Sequence, residues 1–215
     1  MPRELSRSQL IERTIIKTYR KELWNPFIQG VKNYCLVNDG DVILVKLENT
    51  AEAMLLAKLM QQLRRVSETQ FELVFTGDED CRENAELLSV PLSEKAGNYN
   101  KTVSPETLSD ICESLLFSIL YNGKIAAPLP EENGVIRPLY CVSRTAVNKW
   151  VNLNNLTFDK KENGKKGDAP SILERLRKTN PEIEHNILNS LSSLCLDTMP
   201  GYIKDNIHHS FLENY

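Results

Sequence analysis

Residues 39–63, DGDVILVKLENTAEAMLLAKLMQQL, constrain the fold more than any other stretch. Val42 to Leu47 is a short apolar run set off by Asp39-Gly40-Asp41, the pattern of a strand in a covered parallel sheet. From Ala53 the apolar residues fall at Met54, Leu55, Leu59 and Leu63, a helical stripe, with Asn49 or Thr50 placed to cap it. A strand that feeds a helix through a tight loop is where α/β proteins hold phosphate, because free N–H groups and the helix dipole converge there. This loop is Glu48-Asn49-Thr50-Ala51-Glu52-Ala53. It has no glycine to let a phosphate approach the backbone and no Lys or Arg, and it carries two carboxylates.

The 215 residues suffice for one α/β unit with a sizeable core. We expect a single domain over 1–215, with N-terminal helices in 1–37, a sheet core in 38–153 and C-terminal helices in 168–215. No run of 18 apolar residues occurs, so no transmembrane helix is expected, and the first residues are charged rather than signal-like. The five cysteines are scattered and never spaced C-x-x-C, which suits free thiols in a reducing cytoplasm and gives no structural zinc or iron–sulfur pattern.

Charge is uneven. Residues 1–34 carry net +4, residues 68–94 net −7 and residues 158–178 net +3. Either the two basic regions form a polyanion-facing side, or they are solvated helix faces. The candidate RNA-binding cations are Arg13, Lys17, Arg20, Lys21, Lys160, Lys161, Lys165 and Lys166.

In chain order, Ser6 and Gln9 make a capping box, with Leu5 and Leu10 as a hydrophobic staple. Ile11, Ile15, Tyr19 and Leu23 share a face. Asn25-Pro26 ends that helix and starts another, whose stripe is Phe27, Ile28, Val31 and Cys35. Phe71 to Phe75 is the second strand, followed by the acidic Gly77-Asp78-Glu79-Asp80, a metal-binding loop or simply a turn, and a short helix over 81–88. Val90-Pro91-Leu92 reads as a weak third strand and 96–101 as loop. Ser104-Pro105-Glu106 starts a helix that Asn122-Gly123 closes. Val135 to Val142 is a further strand, with Pro138 marking an edge or bulge. Ser143 caps a helix, residues 159–168 form a mobile loop, and Asp168 and Asn180 cap two last helices before Pro200-Gly201. Strands alternating with helices imply a doubly wound, parallel, Rossmann-like sheet with helical additions at both ends.

The segments YRKELWNPFIQGVKNYCLVNDGDVILVKL, MLLAKLMQQL, ENAELLSVPL, SDICESLLFSILYNGKI, VIRPL and NPEIEHNILNSLSSL occur in this order. Together they resemble the PP-loop tRNA 2-thiocytidine synthetases of the adenine nucleotide alpha hydrolase-like superfamily. The resemblance implies an S-G-G-K-D-S loop for ATP with magnesium, cysteines for an iron–sulfur cluster, and a basic surface for tRNA. The phosphate loop falls on Glu48, Asn49, Thr50, Ala51, Glu52 and Ala53, where only Glu52 keeps the charge type. The family's acidic motif leaves Asp110 and Glu113. The central cysteine segment is missing near 96–102, and the C-terminal cysteine site falls in 159–166, which contains no cysteine.

A helix N-terminus favours an anion by about 0.3–1 kcal/mol. A carboxylate about 5 Å from a phosphate charge opposes it by roughly 3 kcal/mol at an effective dielectric near 20. The expectation is therefore a non-catalytic protein that uses neither ATP nor a cluster. Its partner would be tRNA, an intact PP-loop paralogue or a second copy, with no membrane. The alternative is an altered nucleotide-binding enzyme or sensor, with Asn49, Thr50, Thr76 and Asp110 lining the pocket and Asp110 or Glu113 reaching Mg²⁺.

Overall fold

The computed structural model describes residues 5–159, 166–205 and 207–211. Ser6 opens the first helix as its spacing predicts: its hydroxyl accepts from Gln9 N, and the Gln9 carboxamide accepts from Ser6 N. Leu5 and Leu10, the expected staple, are both exposed. Helix α1 (Arg7–Arg13) runs into two π turns, Thr14–Thr18 and Arg20–Trp24, and then into α2 (Asn25–Asn33).

The sequence explains these π turns. Ile11, Ile15, Tyr19, Leu23, Phe27 and Val31 recur every four residues, and all six pack at least partly buried in one core. A four-residue step overshoots the turn of a 3.6-residue helix by about 40°, so five steps would drift by about 200°. Wider turns, with i→i+5 bonds such as Asn25 N to Arg20 O, absorb that drift. Asn25-Pro26 consequently does not break the helix, because the wide turn before it relieves the clash of the proline ring with the preceding turn. Cys35 lies past the helix end, exposed and at a φ of 50°, and is not part of the stripe.

Strand β1 (Val42–Leu47) pairs in parallel with β2 (Glu72–Gly77) on one side and with β3 (Lys101–Val103) on the other. Beyond β3 lie the antiparallel edge strand β4 (Glu131–Glu132) and β5 (Val135–Ile136), in the order β2-β1-β3-β5-β4. Helices α3 (Ala51–Val66), α4 (Glu79–Leu87), α5 (Leu108–Asn122) and α6 (Arg144–Asn154) flank the sheet. This is the expected α/β fold, with a mostly rather than wholly parallel sheet.

Several strand boundaries differ from expectation. Val90-Pro91-Leu92 forms no ladder, since Pro91 has no N–H to give; Ser93 N bonds Phe75 O at 2.7 Å just beyond it. The strand beside β1 is instead Lys101–Val103, hidden in the sequence because it is short and opens with lysine. The 135–142 stretch is a strand only at Val135–Ile136. It then turns, with Tyr140 N bonded to Arg137 O, so Pro138 sits past the strand rather than on an edge. Helix α5 starts three residues later than Ser104-Pro105-Glu106 suggested. Its cap is Thr107, in a capping box with Asp110, and that pair satisfies two donors at once. Glu106 pairs instead with Arg137.

Helices α7 (Ala169–Thr179) and α8 (Ile183–Ser192) pack on α5 through Leu108, Cys112, Leu173, Ile183 and Ile187. Asp168 makes no side-chain cap, and Asn180 makes an Asx turn to Glu182 N rather than capping α8. The chain continues into a 3₁₀ turn (Leu196–Thr198) and the hairpin of β6 (Gly201–Lys204) and β7 (Ile207–Ser210), where Tyr202 stacks on His209.

Two buried ion pairs fasten this frame. Lys58, 1% exposed on α3, holds Glu12 of α1 at 3.0 Å and Gln61 at 2.9 Å. At the start of the sheet, the Lys101 ammonium holds Asp41 at 3.0 Å and Leu36 O at 3.0 Å, while Asn100 donates to Asp41 at 2.8 Å. Burial pushes the Asp41 carboxyl up. Hydrogen bonds from Asn38 N–H, Asn100 and Lys101 outweigh burial and hold it below its ordinary value. Its contribution is therefore present above the ordinary carboxylate range and is lost as pH falls through the lowered folded value. Asp41→Asn is expected to flatten the acid limb of stability against pH, with urea midpoints at pH 7 and pH 3 as the measurement. An unchanged acid limb would refute this account.

Candidate functional site

The strand order reverses at β1, so the carboxyl ends of β1 and β3 flank the crevice where open α/β sheets bind ligands. After β1, Thr50 caps α3 by accepting from Ala53 N, and its own N–H bonds Glu48 O at 2.7 Å. Glu48 is exposed, whereas Glu52 and Ala53 are buried and Ala51 is half-buried. Asn49 carries the polar contacts of the loop. Its Nδ2 donates to Asp159 Oδ2 at 2.9 Å, and its Oδ1 accepts from Asn84 Nδ2 of α4 at 2.7 Å. Asn84 Nδ2 also reaches Thr157 O at 3.1 Å, and Asp159 N–H donates to Asn49 O at 2.8 Å. The loop is thus tied to α4 and to the chain leaving α6.

After β3, the start of α5 buries Asp110 and Glu113 at 1% exposure each. One Asp110 oxygen accepts from Thr107 N and Oγ1. Arg144, the first residue of α6, forks across both carboxylates, 2.6 Å from Glu113 and 2.8 Å from Asp110. Burial opposes the guanidinium charge, but Glu113 and Asp110 hold it firmly protonated. Lys166 adds contacts of 3.4 Å to Asp110 and 3.2 Å to Glu113. Among the described residues, both acids are thus engaged with the protein's own cations, Arg144 and Lys166.

A separate cavity of about 730 Å³ opens at the ends of β1 and β2, lined by Lys46, Thr76, Asp78, Arg82 and Glu94 among others. Thr76 lines it, whereas Asn49, Thr50 and Asp110 do not. Arg13, Lys17, Arg20 and Lys21 are all exposed. Lys160, Lys161 and Lys165 lie outside the described residues. Lys166 is held by Asp110 and Glu113 and is not a free surface cation.

The groups that the resemblance implies do not fit these residues as they stand. The loop offers a phosphate no cation, and Asp159 already holds Asn49. For a cluster, burial pushes the thiols of Cys112 to about 12 and Cys141 to about 11, away from the thiolate that binds metal. Among the described residues, no group of three His, Cys, Asp or Glu side chains is placed to hold a metal ion, the acidic 77–80 turn included. Sequence reading missed Asn84, Asp159 and Arg144. Arg144 left one trace, an arginine directly after the Ser143 cap, where the helix dipole disfavours a cation.

No protein-family model matches the chain. It is 29% identical over 132 residues to the tRNA-cytidine(32) 2-sulfurtransferase 1 of Francisella philomiragia, which covers 56% of this chain and 50% of that protein. It is 32% identical over 132 residues to the tRNA-cytidine(32) 2-sulfurtransferase 2 of Francisella tularensis subsp. tularensis strain WY96-3418, covering 56% and 51%. The chain thus spans about half the length of the curated relatives it matches. Among solved structures, the U34-tRNA thiolase NcsA from Methanococcus maripaludis, described with its 4Fe–4S cluster, shares the fold. The TM-score is 0.60 at 11% identity, over 84% of this chain and 80% of that one. Among the described residues, no helix is long and apolar enough to cross a membrane.

Proposed function

We propose that this chain, which is similar over about half its length to tRNA-cytidine(32) 2-sulfurtransferases, is a PP-loop-type unit over 1–215 that binds tRNA without thiolating it. The observation that carries the reading is the basic side of the first helical run. Arg13, Lys17, Arg20 and Lys21 are exposed there and take part in no ion pair among the described residues, while the other side of the run is the buried four-residue stripe. Free cations on a rigid element are what phosphate backbones recognise. The names of the relatives point to the same class of nucleic acid.

The non-catalytic part rests on the crevice. Adenylation needs a cation for the charge that develops on the leaving pyrophosphate. Residues 48–53 supply none, and Glu48 and Glu52 oppose it. Thiolation chemistry then belongs to an intact PP-loop partner in the cytoplasm.

Titration of labelled tRNA at several salt concentrations tests the RNA reading. The wild-type affinity is expected to fall linearly on a log–log plot with salt. Changing Arg13, Lys17, Arg20 and Lys21 together to alanine should weaken binding about tenfold or more and lower the slope by roughly one for each phosphate left without its cation. Binding to tRNA no tighter than to a neutral polymer at low salt would sink the proposal.

A further inference from the structure

Ile119, Leu120 and Tyr121 in the last turn of α5, and Ile125 and Leu129 in the segment that leaves it, are each between 43% and 58% exposed. Single apolar residues on a surface are ordinary, but a run of large ones over 119–129 marks a surface that another molecule covers. We propose that this surface is a twofold interface with a second copy of the chain, in which the two 124–131 segments lie antiparallel.

The surface is built before any partner arrives. Gly123 is left-handed at a φ of 62°, and Lys124 N–H donates back to Ser118 O at 3.1 Å, which turns the chain over the end of the helix. The far end of the segment is fastened to the turn after β5. Tyr140 Oη donates to Pro128 O at 3.0 Å, Arg137 Nη1 to Leu129 O at 2.7 Å and Arg137 N to Pro130 O at 2.9 Å. Tyr121 stacks on Phe117 with ring centroids 4.9 Å apart. Little ordering entropy therefore opposes association. Pro128 and Pro130 have no N–H to give, so side chains rather than a sheet ladder make the contact.

Charge selects a second copy as the occupant. Residues 124–132 read KIAAPLPEE, a cation at one end, two acids at the other and apolar residues between. Lys124, Glu131 and Glu132 are exposed and take part in no ion pair among the described residues. A twofold axis near the middle of the segment sets Lys124 of each copy opposite Glu131 and Glu132 of the other, with Ile125 and Leu129 of both copies at the centre. A parallel alignment would set like charges against each other. The area agrees with this reading. At roughly half of a side chain of about 200 Å² each, the five residues supply on the order of 500 Å² of apolar surface per copy, close to the apolar share of a standard interface of about 800 Å² per partner. Both copies use the same patch, so the assembly closes at two.

The test is sedimentation velocity of the full chain, free of RNA, over a concentration series. Wild type is expected to show a monomer–dimer equilibrium with a micromolar dissociation constant. Ile125→Asp combined with Leu129→Asp should leave monomer alone, and far-UV circular dichroism should match wild type because both side chains are exposed. Lys124→Glu should weaken the dimer about tenfold or more, as should Glu131→Lys combined with Glu132→Lys, since each places like charges across the axis twice. Combining all three charge reversals restores opposite charges and should return the dissociation constant to near the wild-type value. Wild type that stays monomeric into the millimolar range overturns the proposal. A dimer that survives the two aspartates, or charge reversals that do not weaken it, overturns it as well, and so does failure of the combined reversal to restore association. Because the series contains no RNA, its outcome is independent of the tRNA reading.

Discussion

Replacing Arg144 by alanine is expected to lower the unfolding free energy by about 3–5 kcal/mol, read as a fall in the urea midpoint with little change in slope. The guanidinium bridges Asp110 and Glu113 by a short fork, and those carboxylates are 1% exposed each. Without it, Lys166 is the cation among the described residues that still faces the two buried charges, at 3.2 and 3.4 Å. One carboxylate must then be protonated or rehydrated, and both routes are costly in a packed interior. Arg144→Lys keeps the charge but loses the fork, so an intermediate loss is expected. Replacing Asp110, Glu113 and Arg144 together by Asn, Gln and Met should recover much of the stability, because removing a whole buried set costs far less than orphaning part of it. A loss below about 1 kcal/mol for Arg144→Ala would show that the four groups do not act as a unit.

Glu12→Ala is expected to be nearly as damaging, about 3 kcal/mol at neutral pH. It leaves Lys58 charged at 1% exposure with only Gln61 to accept from it, and it also removes the partner of Arg65. The pH dependence identifies the cause. Burial pushes the Lys58 ammonium below its ordinary value, although Glu12 pulls it back up. A lysine with a depressed folded value binds fewer protons folded than unfolded over the window between the two values, so stability rises with pH across that window. Without Glu12 the depression deepens and the window widens toward neutrality. The deficit of Glu12→Ala should therefore shrink as pH is raised toward the ordinary lysine range, whereas a simple packing defect would be flat. Lys58→Met should be neutral or stabilising. A deficit independent of pH would exclude the buried-charge explanation.

The elements with strong local signals were legible in the sequence. Val42–Leu47 and the α3 stripe form where hydrophobic pattern and cap agree, as do the Ser6 box, the Ser143 cap and the left-handed Gly123 that ends α5. The pattern failed where short elements take their stability from distant partners. The three-residue β3 exists because Lys101 finds Asp41 and Leu36 O across the chain, contacts that no local window reveals. The candidate site divides in the same way. The altered loop was visible as residue types, but its state depends on Asn84 and Asp159, which lie 35 and 110 positions from Asn49. Asp110 and Glu113 looked like metal ligands because two carboxylates one helical turn apart do; Arg144, 31 positions beyond Glu113, changes what they do.

The π turns have a consequence for the exposed side as well as the buried one. Arg13, Lys17 and Lys21 follow the same four-residue interval as the stripe behind them. Wound as an ordinary α-helix, they would spiral around the cylinder, drifting by about 40° at each step. The wider turns counter that drift, so under the tRNA reading one strand of a polyanion would meet all of them without coiling around the helix. Loss of a single residue within either π turn would leave the count of cations unchanged and swing the later ones by about 100°. What the unusual winding preserves is linear charge density along one direction.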